Sequence, residues 1–110
     1  MWNKPSEKQL NRLPELYSTE SVLLMEKGIH MHLFLGGCDW YVAEYDKESQ
    51  NFFGFVILNN DYLNAEWGYF NFSELCELKI DFVEVDRDTH FMPTKAKCID
   101  KIVKAECGLG

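Results

Sequence analysis

No stretch of this chain approaches the roughly 20 consecutive apolar residues that a membrane-spanning helix needs. The opening MWNKPSEKQLNR also lacks the apolar core of a secretory leader. Both absences point to a cytoplasmic protein with no membrane contact. The short catalytic motifs are missing as well: there is no GxSxG elbow, no HExxH, and no glycine-rich loop leading into a helix-opening lysine. Four cysteines (Cys38, Cys76, Cys98, Cys107) form no CxxC pair and no framework spacing. They are expected to be free thiols in a reducing compartment, with Cys76 and Cys98 among apolar neighbours in the core. Positive charge is scarce and unevenly placed. The formal charge is −7, and residues 59–90 carry eight acids against Lys79 and Arg87, a net of −6. Residues 91–110 reverse the sign, with four lysines against Asp100 and Glu106. An acidic field repels phosphate backbones, so direct binding of nucleic acid is disfavoured and a basic protein surface is the more natural partner. The plainer account is that the acids keep a small domain in solution.

What remains is rich in core-forming residues. Of 110 residues, 46% are hydrophobic and 15% aromatic, enough for one packed core but not two. The chain is therefore read as a single α+β domain over 1–110. Within residues 5–17 a helical turn is expected, followed by an irregular segment, because Pro14 disfavours helical geometry at Leu13. From Ile29 the pattern turns to strands: IHMHLFL, then Gly36-Gly37, then CDWYVAEY, a strong signal for a two-residue hairpin. That turn sets Leu35 opposite Cys38, Leu33 opposite Trp40 and Met31 opposite Val42. Phe34–Asp39, His32–Tyr41 and His30–Ala43 then form the alternate pairs. FFGFVIL and AEWGYF supply two more strands of an antiparallel meander, and IDFVEVD is a candidate fifth. Ser73 is placed as N-cap of a short helix ELCELK. KAKCIDKIVKAEC is read as a C-terminal helix that buries Cys98, Ile99, Ile102 and Val103 and stops at Gly108.

Taken in order, LPELYSTE (13–20), WYVAEYD (40–46), FFGFV (52–56), EWGYF (66–70), ELCEL (74–78) and VDRDTHFMP (85–93) resemble a family of short bacterial and phage proteins. The family is known as domain of unknown function 2958. The resemblance covers about residues 13–93 and leaves the lysine-bearing tail 94–110 outside it. It implies a gene often carried by plasmids, phages and other mobile elements. It implies no activity and transfers no catalytic residue.

Several constellations invite chemistry. His30-x-His32 puts two imidazoles on one strand face, a spacing metal sites use, but Cys38 points to the opposite face and Asp39 is the nearest acid on the same side. Neither metal nor cofactor is expected. Glu44 and Glu66 sit in aromatic strand motifs as a same-face carboxylate pair, a pattern for general acid/base work. The inferred register puts Glu44 beside Phe53 and Glu66 beside Ile57, near opposite ends of the sheet. Gly54, opposite Ala43, marks a shallow depression or a bulge.

The most informative feature is an aromatic excess on both sheet faces. Trp40, Phe53, Phe55 and Phe70 are assigned to the face of Met31 and Leu33, and Tyr41, Tyr45, Phe52, Trp67 and Tyr69 to the other. Two short helices do not readily cover both, and exposed Tyr and Trp beside acids are the usual makeup of a protein-binding patch. The alternative is that the N-terminal segment and the C-terminal helix cover one face each. The expected function is thus a non-enzymatic module binding a protein partner, sharpened by the resemblance to an inhibitor of a host nucleic-acid-handling defence enzyme, of anti-CRISPR or anti-restriction type. Its contact residues are expected to be Tyr41, Tyr45, Phe52, Trp67 and Tyr69 with Asp39, Glu66, Asp81, Glu84, Asp86 and Asp88. Competing readings are a small ligand- or metal-binding domain or hydrolase using His30, His32, Glu44 or Glu66, and a homodimer made by edge-strand pairing.

Overall fold

Ser6 opens the first element. Its hydroxyl accepts from the Gln9 N–H while the Gln9 side chain accepts from the Ser6 N–H, a reciprocal cap that starts helix α1, Glu7–Asn11. The computed structural model describes residues 1–108, so the last two residues of the tail lie outside the described residues. Strands follow in order: β1 (Gly28–Ile29), β2 (Met31–Leu35), β3 (Cys38–Asp46), β4 (Asn51–Ile57) and β5 (Glu66–Asn71). Helix α2 (Phe72–Glu77) leads to β6 (Lys79–Ile80), β7 (Val83–Glu84), β8 (Asp86–Arg87), β9 (Thr94–Lys95) and helix α3 (Asp100–Glu106). The main sheet is antiparallel with five strands in the order β5-β4-β3-β2-β8. The expected α+β meander is therefore present.

The Gly36-Gly37 turn sets the β2–β3 register as expected, from Leu35–Cys38 to Met31–Val42. His30 falls just outside β2, and its N–H donates to the Val42 carbonyl at 2.9 Å. The decisive irregularity lies one strand further on. Val42 pairs with Gly54 and Glu44 with Phe53, so Ala43 is an extra residue, a β-bulge. Gly54 is required there, because a Cβ at that position would sit 1.8 Å from the Tyr41 carbonyl oxygen. An inserted residue reverses the alternation of everything beyond it. Tyr45 and Phe52 therefore join Met31, Leu33 and Trp40, whereas Phe53 and Phe55 join Tyr41 and Trp67. This corrects the face assignment of those four residues.

Both faces are covered. Leu10, Leu13, Phe72, Leu75 and Val85 pack on the first, from α1, the segment after it, α2 and the turn before β8. Ile29, Ala96 and Ile102 pack on the second, with Met25, Ile99 and Ala105 at the margin. This is the alternative in which the N-terminal segment covers one face and the C-terminal helix the other, with α2 added on the first. Other expectations shift locally. Asn71, not Ser73, caps α2 through an Oδ1 that accepts the Glu74 N–H, and the Ser73 hydroxyl donates to Asn71 at 2.6 Å. IDFVEVD is no single strand: β6 and β7 form a small hairpin turned at Asp81, whose φ is 56°, and β8 then joins β2. Of its apolar residues only Val85 is buried; Ile80, Phe82 and Val83 are exposed. Helix α3 begins later than expected, after a 3-10 turn over Ala96–Cys98 that leaves Cys98 exposed; Cys76, in α2, is half-buried, so among the described residues only Cys38 is a fully buried thiol. No helix among the described residues is long and apolar enough to cross a membrane.

Candidate functional site

The bulge that reverses the faces also decides where Glu44 goes. It turns the carboxylate to the second face, where the residue is only 3% exposed. A buried charge needs a full set of partners, and the segment between α1 and β1 supplies them. Residues Pro14 to Leu16 pair with the end of β3, through Tyr45 N–H to the Pro14 carbonyl at 2.9 Å and Leu16 N–H to the Tyr45 carbonyl at 3.2 Å. From that anchor the Tyr17 N–H donates to Glu44 Oε1 at 2.8 Å, and the Thr19 hydroxyl donates to Oε2. Lys27, 5% exposed, lies 3.5 Å from the same oxygen. Its ammonium also donates to the Thr19 carbonyl and, at 2.7 Å, to the Thr19 hydroxyl oxygen, and it sits 5.8 Å from the Phe53 ring centroid.

Above this pair lies a groove of about 520 Å³ walled by Tyr17, Glu20, Leu23, Leu24, Phe53 and Tyr69. Its upper wall is apolar and solvent-exposed: Leu23 is 77% and Tyr69 58% accessible. The groove runs beside β5, the open end of the sheet. On the other face of the same strand, Val56, Leu58, Asp61, Glu66 and Gly68 line a second cavity of about 380 Å³, which shares Tyr69 with the groove.

A second buried network stands at the opposite end. Asp39 accepts from Lys101 of α3 at 3.0 Å and lies 2.7 Å from His32 Nε2. His32 in turn stacks on Tyr41 with ring centroids 4.4 Å apart. Burial by itself raises the Asp39 carboxyl, but the hydrogen bonds from His32 and Lys101 outweigh it and hold the group below its ordinary value. Burial pushes the Tyr41 phenol well up and pulls the half-buried His30 imidazole down.

The expected contact residues disperse accordingly. Tyr41, Tyr45 and Phe52 are core residues, so the exposed aromatic patch is not as expected, because helices cover both faces. Trp67 is half-buried, stacked on Phe53 and edge-on to Phe55. Tyr69 alone of the five is exposed, with its ring centroid 5.2 Å from that of Phe53 and 6.3 Å from that of Tyr17. Among the acids, Asp39 is buried and paired, Glu84 holds the terminal ammonium, Asp86 accepts from the Asn3 side chain, and Asp88 lies 3.8 Å from His32. Asp81 is exposed at its turn, and Glu66 is exposed on β5. Glu66 pairs with Val56 rather than Ile57, which puts it on the opposite face from Glu44. The two carboxylates thus form no common site. Among the described residues no group of three or more His, Cys, Asp or Glu is placed to hold a metal ion. Sequence reasoning missed Tyr17, Thr19, Leu23, Leu24 and Lys27. The signal available was the apolar triplet Val22-Leu23-Leu24 in a segment with neither helical nor strand periodicity.

Comparison with family models, with curated proteins and with solved structures gave no match.

Proposed function

We propose that this chain is a non-enzymatic module that binds another protein through the Tyr17–Leu23–Leu24–Tyr69 groove. One observation carries the reading: the groove combines exposed apolar walls with a floor whose charges are already satisfied. Lys27 and Glu44 are hydrogen-bonded to each other and to the segment that crosses them, so they hold the wall in place and leave no unpaired group to activate a substrate. An apolar surface flanked by polar groups is the usual form of a protein contact. Glu20 at the rim and Glu66 on the strand, within a chain of formal charge −7, favour a partner with a cationic surface. The sharper form of the proposal is an inhibitor that occupies the basic groove of a nucleic-acid-handling defence enzyme. The carboxylates free to act there are fewer than composition alone suggests, because Asp39, Glu84 and Asp86 are engaged internally.

Capture from bacterial lysate at low salt tests this, with wild type beside a Leu23→Ser/Tyr69→Ser variant whose fold is verified by circular dichroism. Recovery of a nucleic-acid enzyme by the wild type alone, released by its own nucleic acid and weakened by salt, is the expected result. Equal recovery by both proteins would remove the groove from the mechanism, and binding indifferent to salt would remove the charge.

A further inference from the structure

The two edges of the main sheet are finished differently. The β8 edge is two residues long, carries Asp86 and Arg87, and is capped by the N-terminal segment: Trp2 bridges to Asp86 and the Arg87 Nε donates to the Asn3 carbonyl at 2.8 Å. Short length, charge and a cover are the usual means of protecting an edge. The β5 edge is neither short nor covered, and its one charge is Glu66 at its first residue. It runs for six residues, EWGYFN, without lysine, proline or bulge. Among the described residues no backbone hydrogen bond reaches it except from β4. Unpaired amide and carbonyl groups therefore line its outer side.

Side chains of a strand laid against that edge would alternate between the two faces of the sheet, and a different cavity waits on each. On the second face is the apolar groove of Tyr17, Leu23, Leu24 and Tyr69. The first face holds the cavity that contains Asp61 and Glu66, kept open beside the backbone by Gly68, where an added Cβ would meet nothing within 4 Å. One side of the strand thus offers apolar contact and the other offers carboxylates.

We propose that β5 is a strand-addition site for an extended segment of a partner protein in which aliphatic or aromatic residues alternate with lysine or arginine. This rests on the protein-binding reading above and specifies its mode: main-chain pairing for affinity, alternating pockets for sequence choice. Charge selects a foreign segment over a second copy. Two chains of −7 repel each other, and pairing β5 with its twin brings no cation to Asp61 or Glu66.

The probe is a pair of synthetic decapeptides of identical composition, one alternating leucine and lysine, the other with the leucines and lysines in separate blocks. Affinity is measured by fluorescence anisotropy, and the contact is located by amide hydrogen exchange. The alternating peptide is expected to bind at least about tenfold more tightly than the block peptide, a difference of about 1.4 kcal/mol. It should also slow exchange at alternate amides of β5. Gly68→Lys, which places a cation in open space and introduces no clash, is expected to abolish that preference. Equal binding of the two peptides, or protection elsewhere than β5, would overturn strand addition. If Leu23→Ser/Tyr69→Ser abolishes binding while Gly68→Lys does not, strand addition fails and the groove reading stands. If neither variant affects binding, both fail. Sedimentation of the protein alone completes the test: a wild-type dimer that Gly68→Lys converts to monomer would make a second copy the occupant and overturn the proposal.

Discussion

The closed and open edges of this sheet show how the same residue types do opposite jobs. At the β8 edge charge is a seal: Asp86 holds Asn3, Arg87 reaches the Asn3 carbonyl, and behind them Asp39 ties Lys101 and His32 to the sheet. On the second face of the β5 edge charge lies underneath, in Lys27 and Glu44, and apolar side chains face water above it. An acidic run in sequence therefore does not locate an acidic surface. Of the eight acids in residues 59–90, Glu84, Asp86 and Asp88 are engaged at the closed edge, Asp61 and Glu66 lie at the open one, and the apolar groove comes from a loop of little net charge.

The largest effect is expected where the two halves are joined. Gly54→Ala drives a methyl group into the Tyr41 carbonyl and cannot be accommodated without moving the β3–β4 ladder. A loss of about 3 kcal/mol or more is expected, read as a lowered urea midpoint or failure to fold. An unchanged midpoint would mean that the bulge does not dictate which residues reach which edge.

Comparable in size is the loss of the support beneath the open edge. Lys27→Met leaves the Glu44 carboxylate buried without its cation, which typically costs about 3–5 kcal/mol, whereas Lys27→Met/Glu44→Leu should recover most of it. Urea denaturation of the single and double variants distinguishes a scaffold from a functional charge. A single variant with wild-type stability would show that the pair is dispensable to the fold, and would revive the hydrolase reading for Glu44.

How much of this was legible in the sequence follows from where the physics is local. The Gly36-Gly37 turn acts on adjacent residues, and the register it sets is the one observed from Leu35–Cys38 to Met31–Val42. Glu44 beside Phe53 was likewise correct. The bulge stayed one of two readings of Gly54, because Trp40-Tyr41-Val42-Ala43 is an unbroken apolar run in which a slip of phase leaves no mark. Only Gly54, on the neighbouring strand, signals it, and one missed residue moved Tyr45, Phe52, Phe53 and Phe55 to the wrong faces. The groove was illegible for a different reason. Lys27 and Glu44 are separated by 17 positions and look like ordinary surface charges until the intervening chain folds across them. The capping of α2 moved by two residues because Asn71 and Ser73 are both competent caps and tertiary pairing of β5 decides between them.

The smallest effect concerns acid, and it separates the edges most finely. His30 and Asp39 both have folded-state values below their ordinary ones, His30 through burial and Asp39 through its hydrogen bonds from His32 and Lys101 overcoming burial. In each case the unfolded chain binds more protons within the window between the two values, so stability rises with pH there. The His30 contribution should begin to fall below about pH 6.5 and the Asp39 contribution only below about pH 4, each declining until the folded-state value is passed. Both groups belong to the β2 side of the sheet: His30 donates to Val42 just before β2, and Asp39 sits opposite Phe34. Lowering the pH from about 7.5 to about 5 should therefore speed amide exchange, corrected for its intrinsic pH dependence, in β2 and β8 before the β4–β5 ladder. His30→Asn should remove that first step while leaving the Asp39 step in place. A uniform rise across all five strands would show that the sheet opens as one unit, and that the difference between its edges is one of accessibility alone.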